Sequence, residues 1–191
     1  LKTGTKRAVD TLNQTNGYFK DEAVKILFPP EASKVEDKLR TYNFGPLVDE
    51  FIKKLNRAAE DAANEASPIF VDAVKNMSFQ DARKILEGSD SAATQYFRTN
   101  TSKQLFNTFK PDIENSLDKV GAQQAWKDVT SKYNSIPLTD PVQTDLAKYT
   151  TNKALDGLFL KLQKEEKRIR KDPVARTKDI LEKVFSTVSG G

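Results

Sequence analysis

Ser116-Leu117-Asp118-Lys119 has the Ser-x-x-Lys spacing in which a lysine amine can draw the proton from a serine nucleophile. Lys2-Thr3-Gly4 matches the Lys-Thr-Gly box that accompanies it in penicillin-recognising enzymes. The two boxes occur in reversed order, the Ser-Asp-Asn box is missing, and both matches lie in helical pattern; Thr150 to Lys153 repeats the spacing in this lysine-rich chain. No acylating serine is assigned on that basis. The chain holds no Cys and no His, which removes thiolate nucleophiles, imidazole bases and the commonest zinc ligands. Hydrolytic chemistry would therefore run on carboxylates, lysine, tyrosine or an oxygen-ligated metal. Glu60, Asp90 and Glu166 are the candidate acids for a carboxylate-based hydrolase, of glycan for example, since two acids across a cleft can divide the acid and base roles.

The stretch EGSDSAATQYFRTNTSKQLF, residues 87–106, crowds hydroxyls around one glycine and one aspartate. A phosphate-cradling loop needs more glycines followed directly by a lysine. The hydroxyls fall instead where helices need caps. Ser78-Phe79-Gln80-Asp81 is a capping box for a helix that runs to about Glu87 and ends at Gly88. Ser89 or Asp90 then caps a helix carrying Ala93, Tyr96 and Phe97, and Thr101-Ser102-Lys103-Gln104 is a second box opening a helix with Leu105, Phe106 and Phe109 inward. NSIPLTDPVQTD, residues 134–145, is the one long loop; its Asp140 and Asp145 lack the alternating oxygens and terminal glutamate of a calcium loop. Neither a metal nor a cofactor is expected.

The elements that must position these residues are helices. Apolar residues recur at helical spacing and alternating β-branched runs are scarce, so the sequence predicts an all-α, single-domain bundle over residues 1–191, with roughly eight to eleven helices. With 37% hydrophobic and 30% charged residues the composition is that of a folded globular chain. No apolar run approaches the roughly 20 residues of a membrane-spanning helix. A first helix carrying Val9 and Leu12 stops near Asn16-Gly17, DEAVKIL makes a short helix ended by Phe28-Pro29-Pro30, and EASKVEDKLRTY follows. Val48, Ile52, Leu55, Ala59, Ala62, Ala66, Ile69 and Ala73 then form a heptad-spaced seam, divided at Ser67-Pro68 with Ser67 as cap. The seam reads as the inside of an intramolecular bundle.

In the C-terminal third, Leu155, Leu158, Phe159, Leu162 and Ile169 mark one apolar face, and Asp172-Pro173 starts a last helix with Val174, Ile180 or Leu181, Val184 and Phe185 inward. At about 100° per residue, Glu166 falls inside the apolar stripe between Phe159 and Ile169. A buried carboxylate there needs a partner; Arg170, one turn on, and Arg176 are the candidates, and the pairing predicts an ion pair that fixes the last two helices. Lys164, Lys167, Arg168 and Lys171 cluster on the opposite face, where a solvated helix surface or a site for anionic headgroups or phosphates would present them. Between Lys161 and Lys183 nine basic and five acidic residues leave +4, which is the formal charge of the entire chain. Gly157 is expected on this exposed side, where a mid-helix glycine hints that something approaches the backbone.

The segments LNRAAEDAANEASPIFVDAVKNMSFQDARKIL, DSAATQYFRTNTSKQLF, SLDKVGA, ALDGLF and EEKRIRKDPVARTKDILEKVF, in this order and over nearly the whole chain, resemble the bacterial domain-of-unknown-function family 4197. The resemblance implies an N-terminal export signal, often of lipoprotein type, and hence a periplasmic or cell-envelope location. The chain starts at Leu1 and its only methionine is Met77, in line with removal of an upstream segment. The family has no established activity, so the resemblance assigns no catalytic residue. Within the matching segments Asn56, Arg57, Glu60, Asp90, Tyr96, Phe97, Arg98, Gly157, Glu166, Arg170 and Arg176 are the polar, aromatic or glycine positions to examine for ligand or partner binding.

Three classes of function follow. The first is a non-enzymatic exported binding or interaction module of the cell envelope, taking a small or lipidic ligand or an envelope protein as partner. The second is an anionic-surface binder, peripheral to a membrane or on nucleic acid, working through Lys164, Lys167, Arg168 and Lys171; modest net charge and the absence of a recognition motif disfavour nucleic acid. The third is the carboxylate hydrolase. The first is the reading adopted, with the oligomeric state left open.

Overall fold

In the computed structural model, which describes residues 1–136 and 144–172, the regular secondary structure of the described residues is all helical, with no strand. The helices are α1 (Lys2–Asn13), α2 (Ser33–Thr41), α3 (Gly45–Ala62), α4 (Ala66–Lys75), α5 (Phe79–Glu87), α6 (Ala92–Lys119), α7 (Ala122–Asn134) and α8 (Leu146–Lys171), with 3-10 turns at Pro30–Ala32 and Ala63–Glu65. The two long helices α6 and α8 lie against one another; α1 covers α8, α3 packs on α6 and α7, and α2 closes the α3 and α7 side.

The heptad seam is internal, as its spacing predicts. Val48, Leu55, Ala59, Ala62, Ala66 and Ile69 are buried, and the small alanines admit the close approach of α1 and α6. The chain breaks one turn earlier than expected: the 3-10 turn at Ala63–Glu65 precedes α4, so Ser67 is not its cap, whereas Pro68 does sit in the first turn. Two aromatic groups brace the bundle. Phe70 meets Phe97 edge-on at 5.1 Å and Phe159 at 6.3 Å, tying α4, α6 and α8; Phe28, Phe51 and Trp126 tie the segment before α2 to α3 and α7 at 5.0–5.6 Å.

Three sequence expectations are corrected. Thr101 opens no helix: α6 runs unbroken from residue 92 to 119, and the buried Thr101 hydroxyl donates back to the Phe97 carbonyl at 2.6 Å. DEAVKIL is not helical. Residues 14–29 form a chain of turns, started by Asn16 in the left-handed conformation at φ 71°. Gly157 is buried in α8, not exposed; a Cβ there would lie 2.8 Å from Tyr18 Cε1 and 3.2 Å from Val24 Cβ. What approaches its backbone is that same chain of turns. The expected last helix from Asp172-Pro173, and Arg176 and Asp140 with it, lie outside the described residues.

Candidate functional site

The α6 N-terminus has no side-chain cap of its own: Ser91 occupies the cap position without a capping bond, and neither Ser89 nor Asp90 supplies one. Glu166 of α8 supplies it from across the bundle. Its Oε1 accepts from the Ala93 amide at 2.8 Å, and its Oε2 accepts from the Thr94 amide and the Thr94 hydroxyl, each at 2.8 Å. The first-turn amides would otherwise be orphaned, and the helix dipole favours an anion at that end. Arg170, one turn along α8, donates from Nε and Nη2 to Glu166 Oε1 at 3.0 and 2.9 Å, from Nη2 to the Ile85 carbonyl at 2.6 Å and from Nη1 to the Gly88 carbonyl at 3.4 Å. The Glu166–Arg170 pair is therefore present, but it joins α8 to α5 and α6; the last helix that the spacing predicts it to fix lies outside the described residues. Glu166 is only 7% exposed, so this set of bonds is what makes the buried charge tolerable.

Beside this junction lies a cavity of about 360 Å³, lined mainly by Leu1 and Gly4 of the α1 end, Ile85 and Leu86 of α5, Phe97 of α6 and Ile169 of α8. Ala93, Leu162, Glu166 and Arg170 complete its wall. The volume lies within the range of small-molecule pockets. Leu86 is 79% exposed, so one rim of the cavity is apolar and open to water. Sequence reasoning placed Ala93, Phe97, Leu162 and Ile169 on apolar stripes and missed Gly4, Ile85 and Leu86 as members of a site. The one local signal was that α5 places Ile85 and Leu86 side by side, so that one of the two must lie away from the face packed on α6.

A second buried carboxylate, Glu60, is 4% exposed and does a different task. Its Oε1 accepts from the Tyr18 and Phe19 amides at 3.1 and 3.0 Å, and its Oε2 pairs with Arg57 Nη1. Arg57 Nη2 continues to Asn16 Oδ1 at 2.8 Å. Asn56, fully buried, accepts from the Ile26 amide at 2.8 Å and donates to the Ile26 and Ile52 carbonyls at 2.7 and 2.8 Å. Three candidates adjacent on α3 thus satisfy the backbone of the non-helical segment 14–29, whose polar groups have no helix to bond within. Tyr18, entirely buried, donates its hydroxyl to the Ala154 carbonyl at 2.8 Å, and burial first, then the Glu60 charge, pushes its pKa up. Tyr149 reaches the Leu27 carbonyl at 3.0 Å and is pushed up to about 12, chiefly by burial.

The remaining candidates are dispersed. Asp90 is exposed and 3.9 Å from Lys171. Tyr96 donates to the Ala73 carbonyl at 3.2 Å, with its pKa raised by burial, and Arg98 lies over the Phe159 ring at 4.5 Å. On the basic face Lys164 and Lys167 are exposed, while Arg168 bonds Glu165 at 2.8 Å. Asp145 caps α8 through the Lys148 amide at 2.9 Å. Among the described residues no group of three or more acids is placed to hold a metal ion.

A family model described as a protein of unknown function, DUF4197, matches residues 1–186. The chain belongs to this family. No curated protein and no solved structure matches it. Within this DUF4197 chain both buried carboxylates lie inside the matched span, so the Glu166 junction and the Glu60 grip are both built from family sequence.

Proposed function

We propose that this DUF4197 protein is a non-enzymatic binding module of the bacterial cell envelope that holds a small apolar or lipidic ligand in the cavity between α1, α5, α6 and α8. The observation that carries the reading is the cavity itself, apolar in most of its lining and floored by a carboxylate whose two oxygens already accept five hydrogen bonds. A general acid or nucleophile needs a lone pair or proton to offer, and Glu166 and Glu60 are both committed to backbone amides and a guanidinium. That weighs against the hydrolase. The envelope location rests on the export signal that family resemblance implies. Native mass spectrometry of the protein purified gently from a bacterial envelope tests the reading: a reproducible non-protein mass, lost in an Ala93→Leu variant that keeps its helical circular dichroism, is expected. A bare protein that also takes up no added apolar ligand would overturn it. The same spectrum reports the number of subunits.

A second reading keeps one supporting observation. Lys164 and Lys167 project from α8 into solvent, as an anionic-surface binder requires. Its signature is sedimentation with anionic vesicles that falls steeply with salt and is lost when Lys164, Lys167, Arg168 and Lys171 are neutralised; salt-independent sedimentation would exclude it.

A further inference from the structure

Resting on the cavity reading, we infer that the ligand class is a single-chain amphiphile with an anionic carboxylate head, its alkyl chain in the cavity and its head at the Arg170 guanidinium. Three observations lead there. The apolar lining offers no hydrogen-bonding side chain apart from Glu166 and Arg170, so the body of the ligand is hydrocarbon. Glu166 is saturated and has no acceptor to spare for a ligand donor such as an ammonium or hydroxyl. Arg170 is not saturated. A guanidinium carries five N–H donors; its bonds here use Nε, Nη2 twice, and Nη1 once at the long distance of 3.4 Å to the Gly88 carbonyl. At least one Nη1 donor is left on a side chain that lines the cavity and is 20% exposed. An acceptor of negative charge makes the strongest bond to such a donor.

The charge around the site agrees with that choice. Arg170 and Glu166 cancel, and the α6 N-terminus adds the positive end of its dipole on the same side. Lys171 and Asp90 face each other at 3.9 Å on the surface and cancel likewise. Among the described residues the local balance therefore leans positive without a full charge in excess, which favours one carboxylate over a phosphate of higher charge. The exposed Leu86 on the rim gives an alkyl chain an apolar edge to cross between water and the cavity.

The test is isothermal titration of the full chain with decanoate, 1-decanol and decylamine, followed by carboxylates of increasing chain length. Decanoate is expected to bind about tenfold tighter than decanol, as one charge-assisted bond provides, with decylamine weakest. Affinity should climb about fourfold per added methylene and level off when the cavity is full. Ala93→Leu, which fills the cavity, and Leu86→Glu, which charges its rim from an exposed position, should each weaken decanoate at least tenfold, and Arg170→Lys should shrink the decanoate-to-decanol ratio. If decanol binds as tightly as decanoate, with both weakened by Ala93→Leu and Leu86→Glu, the carboxylate assignment is wrong and the cavity reading stands. If none of the three binds, or if both cavity variants bind decanoate unchanged, the cavity reading itself fails.

Discussion

Glu60 and Glu166 are the same device used in two surroundings. Each is a buried glutamate that grips two consecutive backbone amides of a segment far away in sequence, and each is neutralised by an arginine one helical turn away, Arg57 before Glu60 and Arg170 after Glu166. Around Glu60 the space is closed: segment 14–29 lies over it, Tyr18 fills the gap left by Gly157, and Lys161 ties Asp21 to α8. Around Glu166 the space is open, because the short α5 rests on α6 and leaves a cavity against the α1 end and α8. A buried acid with an arginine is thus no sign of function by itself; what separates the two is that Glu166 and Arg170 themselves line an unfilled volume, whereas the pocket nearest Glu60 is lined by residues of the segment over it, such as Phe19 and Lys25.

The widest gap between the two should appear in stability. Glu60→Gln converts one accepting oxygen into an amide facing the Tyr18 and Phe19 amides or the Arg57 guanidinium, under a packed segment, and is expected to cost about 4 kcal/mol in urea unfolding. Glu166→Gln should cost less, about 2 kcal/mol, since water in the cavity can solvate the groups it releases. Equal losses would break the contrast between a closed and an open pair. Next in size, Gly157→Ala gains roughly 1 kcal/mol of helix propensity, yet its methyl must displace Tyr18. A net loss of about 1–2 kcal/mol in thermal melting is expected; a gain would mean that the turns over Glu60 are loosely seated.

The smallest effect is a pH dependence confined to the closed region. The Lys161 ammonium bonded to Asp21 holds that carboxyl below its ordinary value, with burial acting against it. A carboxyl with a lowered folded-state pKa binds fewer protons folded than unfolded, so its contribution is full above the unfolded value and is lost as pH falls through the folded one. Asp21→Asn should therefore flatten the acid side of the stability profile below about pH 4 and leave the neutral region nearly parallel. An unchanged acid limb would show that the tie between the turns and α8 contributes nothing.

The structure also shows where local reading of the chain succeeds. Ser78 caps α5 through the Asp81 amide at 3.1 Å, as its box predicts, since both partners lie within one turn. Thr101 has the same box spacing and caps nothing, because packing of Phe97, Leu105 and Phe109 on one face keeps α6 continuous through it. DEAVKIL has helical spacing but is held in turns: Asn56 bonds its Ile26 across 30 residues, and Glu60 grips Tyr18 and Phe19 just before it across 42 and 41 residues. Asn56, Arg57 and Glu60 could be singled out as polar residues in an apolar seam; that they serve a chain segment and not a ligand was not written in their neighbours.

By itself the sequence determined the helical class, the inward seam of α3 and α4, and the pairing of Glu166 with Arg170, because each is set by side chains three or four residues apart on one helix. Only the tertiary structure decided that Glu166 caps α6 from 72 residues away, that Gly157 makes room for Tyr18, and that the short α5 leaves a cavity open. Those features depend on the joint placement of several helices, and an unfilled volume belongs to no residue's spacing: it is what remains after all of them have packed.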